Sequence, residues 1–141
     1  MRPPHVQAFI DRVLPFARRA CAETGLPVSL ILAQWATESA WGRSDLARRN
    51  NLGSIAGRGG MRSYPDLEAF RKDYVRVINL SYYDEVRRTA AQGGDPLAVA
   101  QALGRSPYSE SHYADRANRP GGYLAQVMSD FNLREYDTAG E

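Results

Sequence analysis

The chain has one cysteine in 141 residues, Cys21, so no internal disulfide can form. Cys21 falls on the apolar side of a helical pattern and reads as a small core residue. The two histidines, His5 and His112, lie far apart, with no cysteine partner and no HExxH spacing. That argues against a zinc site, and neither metal nor cofactor is expected. No segment reaches the roughly 18 apolar residues of a membrane span, so no membrane insertion is expected. A dominant charge is missing too. Eighteen basic residues face 16 acidic ones, a net +2, which is too weak a bias to argue for nucleic acid. A mild positive balance suits an anionic polymer such as a cell wall, and it suits nothing in particular equally well. The opening Met1-Arg2-Pro3-Pro4-His5 does not lead into the apolar run of a signal peptide. No repeat, low-complexity tract or linker interrupts the chain.

What is present is a globular composition, 43% hydrophobic and 24% charged. The length fits one domain over 1–141, with a core over about 6–133. The patterning is helical nearly throughout. Val6, Phe9, Ile10, Val13, Ala17 and Ala20 recur at three- and four-residue steps. Pro15 interrupts them, which predicts a kink or two abutting helices. Gly25 and Pro27 are stop signals. A second helix over about 28–41 is apolar all round, as expected of a buried central helix. Residues 50–64 read as a loop with at most a very short hairpin. Further helices are expected after Asp66, over about 83–91, from Asp95-Pro96 to about Leu103, and over about 123–131. The tail after Tyr136 reads as frayed. The fold class is therefore mainly α, with six or seven helices around helix 28–41.

The run Ala33-Gln34-Trp35-Ala36-Thr37-Glu38-Ser39-Ala40-Trp41-Gly42 holds the most informative residue. Glu38 is the one carboxylate near the end of that apolar helix. A carboxylate costs several kcal/mol to bury unless it is paired, neutral or used. At a helix C-terminus the dipole disfavours its charge by a further ~0.3–1 kcal/mol. Both effects keep a proton on the group, which is what a general acid requires. Gln34, four residues earlier, shares its face, and Trp35 and Trp41 flank it at three-residue steps.

The block from Leu30 to Ser44, followed by Leu46-Ala47 and Asn50-Asn51-Leu52, resembles the glucosaminidase domain of bacterial autolysins and of the flagellar peptidoglycan hydrolase, glycoside hydrolase family 73. The family pattern reads A-Q-x-A-x-E-S-x-W-G-x-S, then N-N-L-F-G-I-K. Here Asn50-Asn51-Leu52-Gly53-Ser54-Ile55 stands at the second part. The segment Ser63 to Tyr74 is similar to the family's stretch after its hairpin. Tyr108 and Tyr113-Ala114-Asp115 are similar to its C-terminal tyrosine motif, with Tyr123 as an alternative for the second tyrosine. The resemblance implies a lysozyme-like helical fold with a groove for a glycan strand. It implies cleavage of the β-1,4 bond after N-acetylglucosamine in peptidoglycan, with Glu38 protonating the glycosidic oxygen.

One departure from the family shapes the mechanism. The usual β-hairpin lobe, often bearing a second carboxylate, has shrunk to residues 56–62, which hold no acid. Inversion needs a second carboxylate about 6.5–9.5 Å from the acid, and a covalent nucleophile needs one at about 5–5.5 Å. Asp45, Asp66 and Glu68 are the nearest in sequence, but Asp66 and Glu68 look like helix-start residues. The substrate's own N-acetyl group can take that place, with Glu38 acting as acid and then as base.

Around Glu38 the candidate substrate contacts are Tyr113, Trp41, Tyr108, Asn51 and Gln34. Tyr113 leads, because tyrosine offers a sugar both a flat face and a hydroxyl. Trp41 has core packing as its alternative role. Gln34 reads as a buried hydrogen-bonding support, and Asn50 and Asn51 as turn stabilisers. Arg58 and Arg62 read as solvated loop charges that could reach a stem-peptide or muramyl carboxylate. The expected partner is the peptidoglycan glycan strand, met by a monomer. Two alternatives stand beside the glucosaminidase: a lytic transglycosylase or muramidase on the same fold, and an inactive glycan-binding or structural module of a phage or secretion apparatus. Without a signal peptide, the expected route is cytoplasmic synthesis with delivery to the wall by a holin, a virion or a secretion system. The other possibility is a domain excised from a secreted autolysin.

Overall fold

In the computed structural model of the protein, residues 2–93, 95–108 and 112–137 are described. Met1, Gly94, residues 109–111 and the tail from residue 138, where fraying is expected, lie outside them. The chain runs α1 (Pro4–Thr24), α2 (Val28–Ser39), α3 (Asp45–Arg48), a hairpin of β1 (Ala56–Gly57) and β2 (Gly60–Met61), and α4 (Leu67–Ile78). A 3-10 turn (Ser81–Tyr83), α5 (Asp84–Ala91), α6 (Pro96–Gly104), α7 (Gly122–Asp130) and a last 3-10 turn (Leu133–Asp137) complete it. The protein is mainly helical with a lysozyme-like fold and a small β element.

α1 is one helix through Pro15, not two abutting ones. Pro15 sits on the exposed side, so the carbonyl it leaves unpaired, that of exposed Asp11, faces water. The helix stops where Gly25 takes a φ of 82° and donates its N–H to Cys21 O at 2.8 Å. Cys21 itself is only half-buried against the core.

α2 is the buried centre, with every residue from Val28 to Ala36 buried. α1, α7 and the last 3-10 turn pack around it. It ends at Ser39, two residues before the expected Trp41, because Ala40 and Trp41 both take left-handed φ values of 51° and 56°. Ser39 supports that turn: its hydroxyl donates to Trp35 O at 2.6 Å and accepts from Gly42 N at 3.0 Å. α4 docks on α2 through edge-on aromatic contacts of Trp35 with Phe70 (5.0 Å) and Tyr74 (5.3 Å). Each fully buried large side chain of this kind contributes ~1.5–3 kcal/mol.

α6 and α7 interlock through glycine. A Cβ on Gly121, whose φ is 71°, would lie 2.0 Å from Ala100 O. A Cβ on Gly104 would lie 2.1 Å from Gly121 N. At the start of α7, Tyr123 N donates to Tyr113 O at 2.9 Å. Asp115 then closes the loop, accepting from Ala117 N at 2.9 Å and Arg119 N at 3.0 Å.

Candidate active site

Glu38 is the penultimate residue of α2, with a side chain 10% exposed. It lines a groove of about 830 Å³ whose walls come from the hairpin, α4, the 3-10 turn at Ser81–Tyr83, and Tyr108 and His112. A buried chain of hydrogen bonds fixes it from behind. Tyr74 Oη donates to Gln34 Oε1 at 2.6 Å, and Gln34 Nε2 donates to Tyr113 Oη at 3.1 Å. Tyr113 Oη in turn donates to Glu38 Oε2. Gln34 is fully buried, and its two-ended amide lets it accept from one tyrosine while donating to the other.

These tyrosines are held as donors. Burial first, and then the Glu38 charge, push the Tyr113 hydroxyl well above its ordinary pKa. Burial acts in the same direction on Tyr74 and Tyr108. Tyr108 donates to Gly53 O at 2.5 Å, tying the Tyr108 segment to the loop before the hairpin.

The surroundings of Glu38 differ from the tryptophan sandwich expected from spacing. Trp35 is fully buried and faces α4. Trp41 is turned away by its left-handed backbone and packs on Phe9 (5.7 Å) and Phe131 (4.7 Å). Trp41 is absent from the groove lining, so the structure gives it the packing role. The partners of Glu38 are polar instead: Tyr113, and His112 with Nε2 at 2.9 Å from Oε2. Both reach the same oxygen, and no described residue bonds to Oε1.

Of the expected contacts, Tyr108 lines the groove with Glu38, while Tyr113 stands behind the carboxylate. Gln34 and Asn51 are fully buried, behind the wall rather than on its surface. Asn51 accepts from Ile55 N at 3.0 Å and donates to Ile55 O at 2.9 Å and Arg62 O at 3.0 Å, so all three of its bonds shape the loop and hairpin. Asn50 donates to Tyr64 O at 3.0 Å. Tyr123 is exposed and does not line the groove.

Sequence reading missed three lining residues. The sequence pattern gives His112 no role beyond that of a metal ligand, which its spacing does not support. Tyr82, 71% exposed on the groove wall, offers a ring to the face of a sugar. Arg76 reaches the groove from α4, beside Arg62 from the hairpin. The Ser81-Tyr82-Tyr83 cluster, just after a helix end, was the available signal for Tyr82.

Among the described residues that line the groove, Glu38 is the only carboxylate. Asp45 is 91% exposed and pairs with Arg48. Asp66 caps α4 by accepting from Ala69 N at 2.8 Å, and Glu68 pairs with Arg71. The described residues also contain no cluster of three or more groups able to hold a metal ion.

A single acid at the end of a buried helix, above a groove and beside a small hairpin, belongs to the lysozyme-like helical class. The glucosaminidase family model, described as mannosyl-glycoprotein endo-beta-N-acetylglucosaminidase, matches residues 14–121, and the chain belongs to that family. The fold is similar to the catalytic domain of the autolysin Auto from Listeria monocytogenes, with 23% identity, a TM-score of 0.72, and 97% of this chain and 90% of that one covered. It is similar to a peptidoglycan hydrolase mutant from Sphingomonas sp. A1, at 25% identity, TM-score 0.71, and 92% and 97% coverage. A type VI secretion system effector-immunity complex from Pseudomonas protegens also matches, at 22% identity, TM-score 0.72, and 93% and 94% coverage. No curated protein is significantly similar in sequence.

Proposed function

We propose that the protein is a peptidoglycan N-acetylglucosaminidase, with Glu38 as its general acid. The observation that carries this reading is the Tyr74–Gln34–Tyr113–Glu38 chain, which aims one carboxylate at an open groove. Tyr113 and His112 occupy Oε2, which leaves Oε1 to carry the proton to the glycosidic oxygen. As the bond to the leaving sugar breaks, positive charge develops at the anomeric carbon. With no second carboxylate among the described lining residues, the carbonyl oxygen of the substrate's own N-acetyl group attacks that carbon. Glu38, now ionised, takes a proton from water, and the water opens the cyclic intermediate. The acid is thereby regenerated.

The polymer lies outside the cytoplasm, so the protein reaches it through a holin, a virion or a secretion system, or as part of a secreted autolysin. It acts as a monomer. Mass spectrometry of digested peptidoglycan tests the bond choice. Products ending in reducing N-acetylglucosamine are expected, and products ending in reducing muramic acid contradict it. A single carboxylate among the described lining residues also favours a second reading, a lytic transglycosylase, whose products end in anhydromuramic acid.

A further inference from the structure

Arg62 and Arg76 line the Glu38 groove and also a second recess of about 570 Å³ that includes Lys72 and Asp73. The two guanidinium groups therefore stand on the lip shared by both concavities. One carboxylate serves them both. Asp73 holds Arg76 Nε at 2.6 Å and Arg62 Nε at 3.7 Å, and it accepts from Tyr64 Oη at 2.5 Å. Each arginine spends only its Nε on Asp73. No described residue accepts from the terminal nitrogens of either one, and about half of each side chain is exposed (45% and 53%). Lys72 lines the same recess, so its lining carries three cations and one anion, a charge of +2 on a protein whose whole net charge is +2.

Asp73 does more than neutralise. Burial pushes its pKa up, but hydrogen bonds from Arg76 and Tyr64 outweigh this and hold it below the usual range, so it stays ionised, keeps Arg76 oriented and stays paired with Arg62. Guanidinium groups oriented through one edge present their free forks to a carboxylate or phosphate, the geometry that arginine recognises best.

We propose that Arg62 and Arg76, with Lys72 behind them, form a subsite for an anionic group carried beside the glycan strand. The group is a free carboxylate of a peptide stem or a phosphate of a wall polymer. This rests on the reading of the groove as a glycan cleft, and it predicts a substrate class: strands that still bear their anionic substituents. The basic lip holds the substituent while the sugars pass over Glu38.

Equilibrium binding tests this without turnover, so it stands apart from the hydrolysis assay. Three probes are titrated into the wild-type chain: a disaccharide bearing a tetrapeptide stem, the same disaccharide with its lactyl carboxyl capped as a neutral amide in place of the peptide, and inorganic phosphate. The stem-bearing probe is expected to bind about tenfold more tightly than the bare one, with a preference that falls as salt rises. In the Arg62→Gln/Arg76→Gln double variant that ratio is expected to approach one, while the thermal midpoint shows the fold is retained. Displacement of the stem-bearing probe by phosphate at low concentration assigns the subsite to wall phosphates, and failure to displace it assigns it to stem carboxylates. Equal binding of both disaccharides with no phosphate binding overturns the proposal, as does an unchanged ratio in the double variant.

Discussion

His112 Nε2 lies 2.9 Å from Glu38 Oε2, the oxygen that also accepts from Tyr113. The shrunken hairpin leaves the acid without a described carboxylate partner in the groove, and an imidazole and a phenol hold it instead. Both bind the same oxygen, and no described residue bonds to the other.

His112→Ala removes the outer of these two contacts. The side chain is 45% exposed, so the hydrogen bond is partly screened. A fall in kcat of about tenfold, equivalent to about 1.4 kcal/mol, is expected, with a smaller change in KM. Reducing-end release from purified peptidoglycan measures it. An unchanged kcat removes His112 from the positioning of Glu38.

Tyr113→Phe removes the inner contact and also strips Gln34 Nε2 of its acceptor. A buried donor left unpaired costs ~1–3 kcal/mol, so both stability and rate fall. A thermal midpoint lower by a few degrees and a kcat/KM lower by roughly 10- to 100-fold are expected. Wild-type kinetics in this variant contradict the role given to the Tyr74–Gln34–Tyr113 chain.

The helical frame was legible in the sequence because its signals are local. α2 shows as an unbroken apolar run, Gly25 as a stop, and Asp95-Pro96 as a helix start. Glu38 stood out for the same reason, as one acid in that run. The environment of Glu38 was not legible. Its end of α2 turns on positive φ values at Ala40 and Trp41, residue types that carry no signal for that conformation, and this sends Trp41 to Phe131 instead of to Glu38. The His112 contact spans 74 positions, so no spacing rule reaches it. Asp73 was equally hidden. Only the fold brings Arg62 from the hairpin and Arg76 from α4 to its two sides.

Asn51→Ala tests whether the loop before the hairpin is built by that buried amide. Its three bonds to Ile55 and Arg62 disappear together. A loss of ~1–3 kcal/mol is expected from the backbone groups it leaves unpaired. Hydrogen exchange at residues 55–62 should quicken while that of α2 stays slow. Uniform protection across both segments contradicts this.

Asp115 makes loop closure depend on pH. Backbone N–H of Arg119 first, then the Arg119 side chain and Ala117 N–H, hold the Asp115 carboxyl below its ordinary range despite some desolvation. A depressed folded-state pKa stabilises the protein above the unfolded value of about 3.9, and that stabilisation is lost as pH falls through the lower folded value. Thermal midpoints of wild type and Asp115→Asn should therefore differ at pH 6 and converge as pH drops below about 3.5. A constant difference across that range contradicts the assignment.

The central claim is that Glu38 donates the proton that breaks the glycosidic bond. Its most direct test is the rate at which Glu38→Gln releases soluble fragments from purified peptidoglycan, beside a thermal midpoint showing the variant folded. Glutamine keeps the shape and removes the acid. The account predicts a rate lower by roughly 10²- to 10⁴-fold, the usual contribution of a positioned general acid, with an unchanged midpoint. A folded Glu38→Gln that releases fragments at the wild-type rate contradicts it.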